Sequence, residues 1–183
     1  QKGFGCKQHG YVAMDLSHAD FTFNDVTGAC VTCAGLGTSK RVHTTLLVPD
    51  PSRSLSKGAI IKEAFNHDKN TWGGRILHSL AVKYGFSLDV PWQDLPQKVT
   101  DLVFFGAEEK YPIVLPEGTR QGKHHEGKEV RFPGVVNWIE QRYRWYRKQG
   151  QSNSGMEDYL QKVMVEHPCP DCGGSRLKLS RRL

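Results

Sequence analysis

No apolar run in these 183 residues approaches the length of roughly 18–20 that a membrane-spanning helix requires, so a helical membrane span is excluded. Internal repeats and low-complexity tracts are also lacking, which removes solenoid arrays and disordered linkers. The chain holds no complete Gly-x-x-x-x-Gly-Lys-Ser/Thr loop, so nothing in it reads as a nucleotide phosphate cradle. It begins at Gln1 with no basic-then-apolar leader, and we expect it to be a piece of a longer protein. Cysteine is scarce: there are five, four of them in two Cys-x-x-Cys pairs. Such spacing suits metal in a reducing compartment better than a secreted disulfide framework, and the cytoplasm is the expected location.

The composition is that of a globular chain, with 38% hydrophobic and 24% charged residues. Twenty-five lysines and arginines outnumber nineteen acids, giving a net charge of +6. This excess favours an anionic partner, nucleic acid being the commonest.

The two cysteine pairs read Cys30-Val-Thr-Cys33-Ala-Gly-Leu-Gly37 and Cys169-Pro-Asp-Cys172-Gly-Gly-Ser-Arg176. Four thiolates in two glycine-tailed knuckles match a tetrahedral structural zinc, with no open position for catalytic water. A redox role expects a helix N-terminus in a thioredoxin-like context, which the flanking sequence does not provide. Cys6-Lys-Gln-His9 also has ligand spacing. Two assignments compete: a local site of Cys6, His9, Cys30 and Cys33, or a site of Cys30, Cys33, Cys169 and Cys172. We prefer the second because the two knuckles resemble halves of one module. Cys6 and His9 would then be half of another site, and His9 also reads as an exposed turn histidine.

Shared metal would pin residues 34–168 at their base and make the middle an insertion. We expect an α+β fold divided into 1–45, an inserted module at 46–165, and a returning knuckle at 166–183. Phe21–Asn24 alternates like a short strand, and 41–58 reads as an extended connector. Apolar spacing predicts a helix from Gly74 to Tyr84 stopped by Gly85, and another capped by Asp94 and ended by Gly106. Tyr111–Leu115 and Glu129–Phe132 read as a hairpin with a long polar tip. A third helix is predicted over 134–148, with Val135, Ile139, Tyr143 and Tyr146 on one face, and a fourth from Met156 to Glu166 before Pro168.

The densest chemistry lies in Arg142-Tyr-Arg-Trp-Tyr-Arg-Lys148, where no acid interrupts four cations and three aromatics. Arg142, Arg144, Arg147 and Lys148 suit phosphate contacts, and Trp145 suits stacking on a base. The hairpin adds Arg120, Lys123, Lys128 and Arg131. The plainer alternative makes Tyr143 and Tyr146 core residues and the cations a solvated face. His124 and His125 read as solvent-facing loop residues.

Taken together, these stretches resemble the A subunit of bacterial excinuclease ABC (UvrA). Phe21-Thr-Phe-Asn24 and the first knuckle are similar to the stretch entering a zinc module in that family's N-terminal half. Cys169-Pro-Asp-Cys172-Gly-Gly-Ser-Arg-Leu177 is similar to the returning knuckle. Ser54–Ile60, Pro91-Trp92, Phe105-Gly106 and Phe132-Pro-Gly-Val135 fall where the insertion domain has similar residues. The resemblance implies part of the first signature domain plus the insertion domain of a damage-sensing ATPase in nucleotide excision repair. It implies zinc as cofactor, sequence-nonspecific contact with duplex DNA, a homodimer in the full-length protein, and ATP only there. With no phosphate loop and no Leu-Ser-Gly-Gly signature, the fragment by itself is not expected to be an enzyme. Cys6-x-x-His9-Gly10 is similar to the paralogue class lacking the UvrB-binding domain, which puts UvrB as a partner in question. A zinc-stabilised structural or protein-interaction insert is the alternative; a DnaJ-like chaperone module expects four close-set repeats, and only two pairs occur.

Overall fold

The computed structural model describes residues 4–5, 8, 10, 12–13, 17–148, 160–178 and 180, with side chains left undescribed for 4–5, 12–13 and 147–148. The chain mixes helix and sheet and divides into two compact units, Gln1–Arg41 with Glu166–Leu183, and Val42–Val165. Among the described residues no helix is long and apolar enough to cross a membrane.

The first unit contains β1 (Phe4–Gly5) and β2 (Val12–Ala13), an antiparallel pair with Phe4 opposite Ala13. The strand expected at Phe21–Asn24 is absent. A 3-10 turn runs from His18 to Phe21, and Asp20 holds it by accepting from the Ser17 N–H at 2.7 Å. Asp25 continues the turning by accepting from the Thr27 N–H at 2.7 Å. Short acidic side chains that bond nearby backbone compete with strand formation, and here they win. The two ends of the chain then meet: Ala29 bridges Leu177, the Cys30 N–H donates to the Arg176 carbonyl at 2.8 Å, and the Lys178 N–H donates to the Gly28 carbonyl at 2.9 Å.

Strand β3 (Thr38–Val42) leads out of this unit and pairs with β6 (Met164–Pro168), on which the chain returns. Helix was expected as far as Glu166, but the described part is helical only at 160–161. Residues 156–159 of that expected helix lie outside the described residues. Val165 is β-branched and favours the pleated surface that a partner strand supplies. The extended connector also resolves differently, because 41–58 contains the short helix α1 (Thr44–Leu47), whose Leu47 is fully buried.

In the second unit, α2 (Trp72–Tyr84) begins at Thr71, whose hydroxyl accepts from the Gly74 N–H at 3.2 Å. It ends at Gly85 in the left-handed conformation, as the sequence predicts. α3 (Gln97–Phe105) starts after Pro96, and Asp94 sits in a separate 3-10 turn, so Asp94 is not its cap. Gly106 ends α3, and α4 (Val135–Lys148) follows Gly134. These two glycines have φ of +87° and +89° and approach backbone to backbone; a Cβ on Gly134 would lie 2.3 Å from the Phe104 carbonyl oxygen. Side chains on either would wedge α3 and α4 apart.

The hairpin is shorter than expected, with β4 (Tyr111–Pro112) antiparallel to β5 (Glu129–Val130) and Tyr111 opposite Val130. The core gathers Ile76, Leu80, Val103, Tyr111, Val135 and Ile139, all essentially without solvent exposure. Beside it, Phe65 meets Trp138 edge-on at 5.3 Å, and Trp72 stacks on Trp138 at 5.9 Å and 17°. Such pairs add about 0.5–1.5 kcal/mol beyond the area they bury. The Tyr111 hydroxyl has no hydrogen-bond partner among the described residues, and burial pushes its pKa up. Because a buried unpaired hydroxyl costs about 1 kcal/mol or more, Tyr111→Phe should raise the chain's thermal midpoint. A lowered midpoint on calorimetry would count against an unpaired hydroxyl.

Candidate metal centre and nucleic-acid interface

Backbone turns aim the cysteines inward. In the first knuckle the Leu36 N–H donates to the Cys33 carbonyl at 3.0 Å, with Ala34 and Gly35 at φ of +51° and +80°. In the second, the Gly173 N–H donates to the Cys169 carbonyl at 2.7 Å and the Ser175 N–H to the Cys172 carbonyl at 2.9 Å. The Cys169 N–H donates to the Gly37 carbonyl at 2.9 Å, and the Thr32 hydroxyl donates to the Asp171 carboxylate, so the knuckles are also tied outside their sulfurs.

The result is a cluster of four buried sulfurs, all within 4.8 Å of one another. Cys30 and Cys169 are 3.9 Å apart and Cys33 and Cys172 3.7 Å, far beyond a disulfide bond. A tetrahedral zinc about 2.3 Å from each sulfur would set sulfur–sulfur edges of roughly 3.8 Å. The cluster could therefore hold a metal ion, and its dimensions are compatible with zinc. Burial pushes the Cys33 thiol up to about 11. Burial also disfavours the Cys172 thiolate, but the N–H groups of Arg176 and Gly174 bring it down to about 7. Four thiolates packed this closely repel one another, and a divalent cation is what lets them ionise together. Cys6 and His9 lie outside the described residues.

The basic segment forms the C-terminal half of α4. Arg142 lies over the Trp138 ring at 5.0 Å and the Tyr146 ring at 5.7 Å, and donates to the Tyr146 hydroxyl at 3.2 Å. Trp145 is 55% exposed and meets Tyr146 edge-on at 5.0 Å. Arg144 is exposed but lies 3.8 Å from the buried Glu140 carboxylate, a partner one turn back. For Arg147 and Lys148 the helix backbone alone is described. Tyr143 and Tyr146 pack against the core, while Arg144 and Trp145 face solvent.

The hairpin residues Arg120, Lys123, Lys128 and Arg131 are all exposed. The Arg120 N–H donates to Asn70 at 3.0 Å, and Lys123 opens a 3-10 turn with His124 and His125, whose rings lie 4.0 Å apart. Sequence reasoning missed Arg75, a cation that α2 turns toward this loop. No local signal marked it, because the groups that meet it, Gln121 and Gly122, lie far along the chain.

The chain is thus a cysteine-knuckle unit whose sulfurs could hold a metal, interrupted in sequence by a helical unit with a basic, aromatic helix. A family model described as the UvrA DNA-binding domain matches residues 44–154, and the chain belongs to that family. It is 36% identical over 178 residues to the UvrABC system protein A of Thermus thermophilus, covering 96% of this chain and 18% of that protein. It is 36% identical over 182 residues to that of Vibrio parahaemolyticus, covering 98% and 18%. The crystal structure of UvrA2 from Deinococcus radiodurans is similar with a TM-score of 0.63 at 25% identity, covering 88% of this chain and 19% of that one. The chain thus spans under a fifth of the length of these relatives.

Proposed function

We propose that this chain contacts duplex DNA through its phosphate backbone, without reading sequence, as the damage-sensing part of a UvrA-type subunit in nucleotide excision repair. The observation that carries the reading is the exposed end of α4, where Trp145 and Arg144 project beside an Arg142 fixed on two aromatic rings. Arg142, Arg144, Arg147 and Lys148 supply phosphate contacts, joined by Arg120, Lys123, Lys128 and Arg131 at the hairpin, and Trp145 offers a stacking face. Glu140, buried, also accepts from the Val42 N–H at 3.2 Å, while the Arg144 side chain is mostly exposed and can reach a phosphate from that anchor.

The metal in this reading is zinc, held by Cys30, Cys33, Cys169 and Cys172 as a structural ion. ATP hydrolysis and a homodimer are features of the full-length subunit in this reading, and its setting is the cytoplasm. Cys6 and His9 remain candidates for half of a second site. Contact with UvrB is not part of the proposal. A second reading, a protein-interaction insert, draws on the exposed apolar side chains of Val26, Val31 and Leu36 in the cysteine unit.

Filter binding of a duplex at two salt concentrations tests the choice. Arg142/Arg144/Arg147→Ala should weaken binding at least tenfold at low salt and reduce the slope of log affinity against log salt by about three. Unchanged affinity and slope would sink the phosphate reading of α4 and favour the second one.

A further inference from the structure

Arg75 is a largely buried arginine. Its side chain starts from α2 and only 8% of the residue is exposed, yet no carboxylate pairs with it among the described residues. The guanidinium makes one hydrogen bond, Nη1–H to the Gln121 carbonyl at 3.0 Å. Gly122 has φ of +79° and makes room for it, because a Cβ there would fall 1.3 Å from Nη1. A guanidinium keeps its charge in any setting a protein offers. Among the described residues its four other N–H donors find no acceptor, and the nitrogens that carry them are open to solvent and so to a ligand.

Residues 123–128 of the loop that receives it carry two lysines, two histidines and one acid. His125 is half-buried, and partial burial, His124, Arg75 and Lys128 together hold its pKa below the ordinary histidine range. Lys123 opens the same 3-10 turn, and Glu126, exposed, follows it. Among the described residues no acid pairs with Arg75, while the flat donor fork of an arginine matches two oxygens of a phosphate group.

We propose that Arg75, cradled by Gln121 and Gly122 and close to His125, is a binding site for one phosphate oxyanion of the DNA backbone. This inference rests on the proposed DNA contact and names a receptor within it. Unlike the surface cations, whose side chains must be immobilised on binding, Arg75 is already held in place. Its contact should therefore be strong for a single residue.

The test is an anisotropy titration of the metal-loaded chain with an undamaged duplex at several chloride concentrations. Arg75→Gln should weaken binding about tenfold, the scale of a hydrogen bond to a charged group, and reduce the salt slope by about one. Gly122→Ala keeps every charge but drives a methyl into the guanidinium's place, and should weaken binding similarly. Gly127→Ala is its control: φ is +74° there too, but nothing lies within 4 Å of the added methyl, so affinity should not change. Should Arg75→Gln fail to fold, the Gly122→Ala and Gly127→Ala comparison decides. Wild-type affinity and slope in both Arg75→Gln and Gly122→Ala would overturn the site while leaving the DNA reading intact. A wild-type chain that binds no duplex overturns both. In a further arm, inorganic phosphate replaces chloride at equal ionic strength. Displacement of duplex from wild type but not from Arg75→Gln would show a site for free phosphate and overturn the backbone assignment.

Discussion

Cys169→Ser should leave the purified chain without stoichiometric zinc and with its first unit unfolded. Two observations make this the largest effect expected of any single substitution here. The four sulfurs close on one point, and structural zinc in small domains contributes on the order of 10–16 kcal/mol of apparent binding energy, most of it folding energy. The unit of Gln1–Arg41 and Glu166–Leu183 also has little else to hold it: the buried apolar cluster among its described residues is the four cysteines themselves. The second unit has its own core and should stay folded, so hydrogen exchange should show protection lost around Cys30 and kept along α2 and α4. Cys6→Ser should keep one zinc per chain by elemental analysis. Full zinc occupancy in Cys169→Ser would mean that the ion is held by another set of ligands.

Phe65→Ala should destabilise the second unit by about 3–5 kcal/mol, the usual cost of emptying a fully buried phenylalanine site. Phe65 is 1% exposed, and its ring meets Trp72 at 6.3 Å, Phe132 at 5.8 Å and Trp138 at 5.3 Å. None of these rings can collapse into the gap without abandoning another contact, because Trp72 also stacks on Trp138 and touches Phe132. The loss should extend outward, since Trp138 is the platform on which Arg142 rests. Urea unfolding followed by tryptophan fluorescence gives the stability, and near-ultraviolet dichroism reports the ordering of Trp138. Val82→Ala, on the exposed side of α2, is the control and should stay within about 0.5 kcal/mol of wild type. Equal effects at the two positions would mean that the aromatic cluster is not the centre of packing.

Where the sequence was legible, a local rule coincided with the tertiary outcome. Gly85 and Gly106 end helices where the apolar spacing runs out, and Val135 and Ile139 repeat at helical spacing on the buried face of α4. The cysteine cluster was legible for the same reason, because Cys-x-x-Cys followed by glycine is a local geometry that appears twice. The errors came where a distant partner or a local polar bond decided. Residues 164–168 are strand because β3 is there to pair with, and Phe21–Asn24 is turn because Asp20 and Asp25 bond the backbone. Asp94 looked like a cap, but Pro96 delays the helix to Gln97. The basic helix showed its density of charge in sequence but not the Glu140 carboxylate beside Arg144. Arg75 was hidden because its environment is made by Gln121 and Gly122, far along the chain.

The cysteine cluster also imposes an order of events during synthesis. Cys30 and Cys33 leave the ribosome long before Cys169 and Cys172, and the whole helical unit emerges between them. A two-sulfur half-site binds metal weakly, so the first knuckle has to wait while the intervening residues collapse around their own core. Folding of those residues shortens the distance the second knuckle must search, since the entropy of closing a flexible loop grows with its length. A metal ion held by all four sulfurs would therefore engage more readily after the intervening unit has formed than before it.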